Sequence, residues 1–313
     1  MSFSDHEMMS NPRADRVRDV ARLSSAKERS KRGEFLAEGP QAVREALRRH
    51  DEMEAAGEPG LVQAVYATSV GLDRLAELSE PRFRRIVRQV TPEVLAAMAD
   101  TVTPQGMVAV CRTETISLED LVQRSPRLVA VLTRVQDPGN AGTILRAADA
   151  AGADAVVLTA GSVDIFNPKA VRSTAGSLFH VPVVTGVSVA DLTATFKDAG
   201  IQILAADGYG SFDLDDLQEE SVRRRSLASG GAPAGSDSLT EGGAPAEGGA
   251  VVLENPAAWL FGNEAQGLND EELALADARV AVPLYGIAES LNVGTAATVC
   301  LYASARAQRR ANR

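Results

Sequence analysis

Histidine and cysteine are scarce in this chain of 313 residues, and long apolar runs are missing. The three histidines, His6, His50 and His180, have no neighbour at metal-ligand spacing, so no metal site is expected. With so little histidine, a Ser-His-Asp triad also has almost no material to draw on. The two cysteines, Cys111 and Cys300, stand far apart in apolar contexts and read as buried thiols of a reducing cytoplasm. No apolar run approaches the roughly 20 residues that a membrane span requires. The N-terminal stretch MSFSDHEMMSNPRADR holds no apolar segment that could serve as a secretory signal. A cytoplasmic protein without a membrane partner is the expectation.

The common nucleotide and hydrolase signatures are missing too. The nearest approach to a dinucleotide fingerprint, Gly208-Tyr209-Gly210-Ser211-Phe212-Asp213, lacks the third glycine and follows the wrong strand. No glycine-rich loop ends in Gly-Lys-Ser/Thr, which excludes a P-loop. No Gly-x-Ser-x-Gly elbow occurs, which disfavours an α/β-hydrolase. A nicotinamide oxidoreductase fails on the same ground.

What the chain does have is a globular composition, 45% hydrophobic and 24% charged, and length enough for two ordinary domains. Its net charge of -10 counts against a nucleic-acid partner, but the charge is uneven. From Arg13 to Arg32 eight basic residues face only three acidic ones. Within that stretch Arg29, Lys31 and Arg32 form a basic arm suited to phosphates, although a solvated helix face would have the same composition.

Downstream the pattern alternates. A strand at 34–38 closed by Gly39-Pro40, a helix, and strand-like and helix-like runs at 61–69, 72–79, 84–90, 91–99 and 107–113 describe a small α/β domain. Thr91 is placed to cap the helix that follows it, with Glu93 in the first turn. Residues 114–126 read as a connector. A second alternation starts at Leu128, with strands at 128–135, 153–160, 179–184, 201–206, 257–263 and 280–283. Helices at 143–152, 167–176, 189–200, 270–278 and from Val293 onward complete it. The strand LVAVLTRV is apolar throughout, as a strand covered on both faces must be. The tract SLASGGAPAGSDSLTEGGAPAEGGA breaks this order and reads as a flexible insertion at about 222–252.

Three polar clusters stand at strand ends of the second half. Asn140-x-Gly142-x-x-x-Arg146 opens a helix, Phe261-Gly262-Asn263-Glu264-Ala265-Gln266-Gly267-Leu268 leaves a strand, and Ser290-Leu291-Asn292 precedes the last helix. Each by itself reads equally well as local structure: two helix caps and a tight strand-to-helix turn. In this order and at these intervals they resemble the signature motifs of the SpoU (TrmH-like) family of RNA ribose 2′-O-methyltransferases, in the SPOUT superfamily. Asn167 to Pro182 is similar to the family's segment after its second strand, and it contains Arg172, which joins the basic arm as an expected RNA contact.

That resemblance implies an α/β protein with a C-terminal trefoil-knotted SPOUT methyltransferase domain at 127–313 and a smaller N-terminal α/β/α substrate-binding domain at 21–118. A basic tail over 1–20 and a linker over 119–126 complete the division. It implies S-adenosylmethionine as cofactor, held near Gly262, Val282, Leu291 and Ala206 largely through backbone groups. Arg146 matches the catalytic arginine; Glu264 and Asn292 would orient it or the ribose, and Ser290 and Asn140 would complete the hydrogen-bond cluster. Guanidinium stays protonated in proteins, so Arg146 suits phosphate or alkoxide stabilisation better than a base role. The implied partners are RNA and a second copy of the chain, each active site drawing on both copies. Ribosomal RNA is the favoured target, with transfer RNA or a non-catalytic RNA scaffold as rivals.

Overall fold

The computed structural model describes residues 8–228 and 251–311, and the chain divides into two compact units. The first comprises Met1–Glu114 together with Asp164–His180, and the second Thr115–Val163 with Val181–Arg313. The segment 164–180 therefore packs with the N-terminal unit, although in sequence it lies inside the second alternation.

In chain order the first unit contains α1 (Asp15–Ala21), α2 (Ala26–Arg32), β1 (Glu34–Glu38), α3 (Pro40–Ala55), β2 (Val62–Ala67), α4 (Ser69–Arg74), β3 (Val87–Gln89), α5 (Pro92–Met98) and β4 (Met107–Arg112). Its four-stranded sheet has the order β1-β4-β2-β3, antiparallel except between β2 and β3. Thr91 caps α5 as its sequence requires, its Oγ1 accepting from the Val94 N–H at 3.4 Å. Of the expected basic tail over 1–20, residues 1–7 lie outside those described, and the stretch from Asp15 is helix α1. Val17, Val20 and Leu23 are buried in one core with Tyr66, Val94, Leu95 and Met98, because helix α1 has an apolar face to bury. On the segment 164–180, Phe166 and Phe179 meet Phe35 of β1 at centroid distances of 5.0 and 6.1 Å.

The second unit continues with α6 (Leu118–Gln123), β5 (Leu128–Leu132), α7 (Pro138–Ala151) and β6 (Ala155–Thr159). Helix α8 (Pro168–Ser173), next in the chain, belongs to the first unit. There follow β7 (Val183–Val187), α9 (Val189–Asp198), β8 (Gln202–Ala206), β9 (Phe212–Asp213), α10 (Leu214–Ala228), β10 (Ala257–Phe261), α11 (Asp270–Leu275), β11 (Ala278–Ala281) and α12 (Val293–Ala311). All seven strands run parallel in the order β7-β6-β5-β10-β8-β11-β9. Strands β5, β6 and β10 are buried along their whole length, as continuous apolar runs in a covered parallel sheet should be. The side chains of Val129, Val131, Ala258 and Leu260 meet Leu192 and Phe196 of α9 in one core. The single tryptophan, Trp259, is fully buried and donates from Nε1 to Ser304 Oγ of α12 at 2.9 Å.

Several boundaries differ from the sequence expectation. The connector contains α6, whose N-cap Ser117 accepts from the Asp120 N–H. The run expected as a strand at 179–184 begins as a 3-10 turn, Ser177–Phe179, and becomes strand only at Val183. The expected insertion loses its first residues, because 222–228 are the last turns of α10; the low-complexity residues 229–250 lie outside those described.

Candidate active site

The carboxyl ends of β5, β10, β8 and β11 lie side by side, and the chain reverses its direction of travel across the sheet between β5 and β8. In open parallel sheets ligands bind outside strand ends at such a reversal. Three loops leave this edge: 133–137 after β5, 262–269 after β10 and 282–292 after β11.

The first loop opens α7. Asp137 is its N-cap and accepts the Asn140 N–H at 2.9 Å, and Pro138 takes the first helical position, where a missing N–H costs nothing. Helix α7 thus starts five residues earlier than expected, and Asn140 stands in its first turn rather than at its cap. The second loop is closed by a reciprocal backbone pair between Asn263 and Gly267, at 3.1 and 2.8 Å. A Cβ on Gly262 would lie 2.3 Å from the Gly267 carbonyl carbon and 2.4 Å from the Leu268 nitrogen, so only glycine fits beneath that closure. In the third loop Asn292 caps α12, its Oδ1 accepting the Gly294 N–H at 2.9 Å and the Thr295 N–H at 3.4 Å.

One line of hydrogen bonds joins the three loops. Asn292 Nδ2 donates to Asn140 Oδ1 at 3.0 Å, and Asn140 Nδ2 donates to Glu264 Oε1 at 3.1 Å. Glu264 also accepts the backbone N–H groups of Gln136 at 3.1 Å and Asp137 at 3.0 Å. Partial burial raises the Glu264 pKa, but these three donors and its own backbone N–H outweigh it, holding the carboxyl below the usual carboxylate range. Glu264 is therefore an anion at neutral pH, and Asn292 has spent both ends of its amide, one as cap and one as bridge.

Of the expected catalytic residues, Asn140, Glu264 and Asn292 come together. Ser290 lies on the exposed run that follows β11. Arg146 is exposed and has neither an ion pair nor a hydrogen bond among the described residues. It stands six residues beyond Asn140 on α7, which at about 100° per residue turns it roughly 120° away from the cluster. Of the expected cofactor positions, Ala206 ends β8, Gly262 follows β10 and Val282 follows β11, all on the same edge of three neighbouring strands. Leu291 adjoins Asn292 in the third loop, and it is exposed together with Leu284 and Ile287.

The expected RNA contacts fare differently. Arg29 is buried, 3% exposed, with its guanidinium committed to Asp164 at 2.7 Å and to the carbonyls of Leu23 and Ser24. A group with its donors used and no open surface cannot serve phosphate, and this expectation is corrected. Arg32 is paired with Glu34, and Arg172 with Glu38 and Asp100 at 3.3 and 3.1 Å. Lys31 is exposed.

The ion pair that holds the loops lies outside the three motifs. Arg134, in the first loop, forms a bidentate pair with Glu272 of α11 at 2.7 and 2.8 Å. Glu272 at the same time accepts the Asn269 N–H in a capping box. Asn263 Nδ2 donates to the Arg134 carbonyl at 3.0 Å, so the first two loops are tied twice. The box Asn269-x-x-Glu272 is legible in sequence, but its arginine lies 138 positions upstream. Among the described residues no three His, Cys, Asp or Glu side chains gather as a metal-ligating group.

Three joined loops at the reversal of a parallel sheet form a ligand site of the kind open α/β sheets build there. The model described as the SpoU rRNA Methylase family matches residues 127–302, and that of the MRM3-like substrate binding domain matches residues 14–109. The chain is 33% identical over 287 residues to the 23S rRNA (guanosine(2553)-2'-O)-methyltransferase RlmP of Bacillus subtilis, covering 92% of this chain and 94% of that one. It is 28% identical to the human mitochondrial rRNA methyltransferase 3, covering 89% and 69% respectively. Among solved structures it is similar to the SpoU methyltransferase AviRb of Streptomyces viridochromogenes in complex with AdoMet, with a TM-score of 0.71, 27% identity and 96% and 100% coverage. The chain belongs to the SpoU methylase family.

Proposed function

We propose that this enzyme transfers a methyl group from S-adenosylmethionine to a ribose 2′-hydroxyl of ribosomal RNA in the cytoplasm. The observation that carries the reading is the hydrogen-bond line Asn292–Asn140–Glu264, which joins Asn140 to partners 152 and 124 positions away. The line joins three loops at the strand ends where open parallel sheets bind their ligands. The named functions of the relatives favour ribosomal over transfer RNA.

The residues present fit an adenosyl cofactor. The closure of Gly267 and Leu268 over Gly262 exposes backbone rather than side chains at the end of β10, and the neighbouring loop offers apolar groups at Leu284, Ile287 and Leu291. Neutral backbone groups and aliphatic side chains suit a heteroaromatic ring and an uncharged ribose. When bound, the cofactor supplies an activated methyl group on a sulfonium. Gly262, Val282, Leu291 and Ala206 would hold it. Glu264 keeps Asn140 and the backbone of 136–137 fixed, and Asn140 in turn fixes Asn292, so the ribose meets a preorganised set of polar groups. Arg146 binds the RNA phosphate and stabilises charge developing on the 2′-oxygen. Ser290 contributes a hydroxyl beside them.

The same reading includes a dimer. Arg146 lies on the exposed stripe Thr143, Arg146 and Ala150 of α7, beside the stripe Thr295, Val299 and Tyr302 of α12. The two helices are tied by the Tyr302 hydroxyl, which donates to the Ala150 carbonyl at 3.3 Å. Packing this surface against a second copy would bring Arg146 to the partner's cluster. The reading also includes the trefoil knot. Its support is that β10 enters between β5 and β8, already laid down, before the chain returns to place α12 against α7.

Mapping 2′-O-methylated positions in ribosomal RNA with and without the gene tests the reading. One large-subunit position is expected to lose its methyl group, and Arg146→Ala is expected not to restore it. A change confined to transfer RNA, or no change together with no methyl transfer in vitro, would overturn it.

A further inference from the structure

Most arginines of the first unit have a carboxylate partner. Arg18, Arg22, Arg29, Arg32, Arg44, Arg48, Arg49, Arg82 and Arg172 are all ion-paired. Such pairs present little net charge to a polyanion. Of the arginines without a carboxylate partner among the described residues, Arg74 and Arg112 donate to the carbonyls of Gln105 and Pro59. The other five, of which Arg88 donates only to carbonyls of its own segment, do not scatter. Arg13 and Arg16 stand at the start of α1, while Arg84, Arg85 and Arg88 lead into and occupy β3, the outer strand of the sheet.

The backbone brings these two groups to one edge. Met9 bridges to Val90 at the end of β3, donating its N–H to the Gln89 carbonyl at 3.0 Å and accepting the Thr91 N–H at 3.0 Å. The chain then turns into α1, so Arg13 and Arg16 follow directly from this bridge. Arg88 is paired in register with Tyr66 of β2 and donates to the carbonyls of Arg85 and Val87, at 2.8 and 2.9 Å. Burial pushes the Tyr66 hydroxyl up, and the charges of Arg16, Arg88 and Arg32 oppose that shift while Glu34 adds to it. Of the three arginines, only Arg32 is neutralised, by Glu34. Arg13, Arg16, Arg84 and Arg85 are exposed and Arg88 is half-buried.

We infer that the β3 edge of the N-terminal unit, through Arg13, Arg16, Arg84, Arg85 and Arg88, is the surface on which this enzyme docks the phosphate backbone of its RNA substrate. On a chain of net charge -10, a concentration of uncompensated guanidinium groups is the place where a polyanion gains most. Guanidinium also recognises phosphate with two parallel donors, without reading sequence. The inference rests on the proposed RNA substrate. It moves the docking surface away from Arg29, Arg32 and Arg172, which the fold has already neutralised.

The test uses the full chain, protein-free large-subunit ribosomal RNA and a salt titration of binding. Arg16→Gln with Arg88→Gln is expected to flatten the dependence of log affinity on log salt by about 1.4, at roughly 0.7 for each phosphate that is no longer neutralised. KM for RNA should rise with kcat and S-adenosylmethionine affinity unchanged. The pair Arg18→Gln and Arg22→Gln removes the same charge from carboxylate-paired positions and should leave the slope near wild type. Should the Arg88 change unfold the protein, Arg84→Gln with Arg85→Gln decides, since both side chains are exposed and neither is ion-paired among the described residues. Equal slopes for the patch and the paired-arginine controls, in an enzyme that methylates ribosomal RNA, would overturn the docking surface alone. A wild-type chain that neither binds nor methylates ribosomal RNA would instead overturn the substrate reading.

Discussion

Glu264 accepts hydrogen bonds from Gln136, Asp137 and Asn140, and its chemistry sets a pH limit. Its folded pKa is depressed, so its contribution is fully present above the ordinary carboxylate value and is lost as pH falls through the lower folded value. The hydrogen-bond line should therefore remain intact from neutral pH down to about pH 4.5 and fail only below it. A carbon-13 titration of the Glu264 carboxyl checks this, and a midpoint above the ordinary glutamate value would refute it. Gly262 sets a steric limit of the same strictness. Gly262→Ala puts a methyl group 2.3 Å from backbone that cannot yield as a side-chain tip would, and such overpacking costs about 1–3 kcal/mol. Calorimetry should show S-adenosylmethionine binding lost in a protein that remains folded. The glycine was legible from its place after an apolar strand, whereas the atoms it makes room for were not, because they belong to a loop closure five residues later.

At the scale of elements, the joint between the loop after β5 and the start of α11 is the decisive one. Arg134 adopts a left-handed backbone, φ 54°, which an arginine holds only where surroundings impose it. The bidentate pair with buried Glu272 supplies that constraint. Burial raises the Glu272 pKa, but the Arg134 guanidinium and the Asn269 N–H outweigh it and keep the carboxylate ionised. Arg134→Gln leaves that carboxylate without its cation. Because the arginine side chain is partly exposed, the expected cost is about 2 kcal/mol, below that of a fully buried pair, read from urea unfolding. The same variant should lower kcat, since the loop carrying Glu264 is released, and a double cycle with Glu272→Gln should show strong coupling. Additive single effects would mean that the loops are held otherwise. The capping box and the helix caps were readable because they are local. The clamp was not, because its partners meet only after the sheet has formed.

For the whole molecule, the exposed position of Arg146 makes a quantitative prediction. In a symmetric dimer whose sites combine residues of both copies, Arg146→Ala and Glu264→Ala chains are each inactive alone. Mixed and allowed to exchange, they should recover about a quarter of wild-type activity, from one intact site in each of the half that are heterodimers. No recovery on mixing, in proteins shown by sedimentation to exchange, would place the whole site within one chain. Val299→Glu on the α12 stripe should give monomers by the same measurement and abolish methyl transfer.

By itself the sequence determined the α/β alternation of both units, the cap at Thr91, and the three motifs whose order and spacing identify the family. These follow from local periodicity and from residues whose chemistry is local. Folding decided the rest. The apolar face of α1 turned an expected tail into core, and Asp164 took Arg29 out of the reach of RNA. The sheet order brought Asn140, Glu264 and Asn292 into one hydrogen-bond line while α7 turned Arg146 away from it. Which arginine remains free for phosphate depends on which carboxylates lie beside it. That is a property of neighbours in space, and no pattern along the chain carries it.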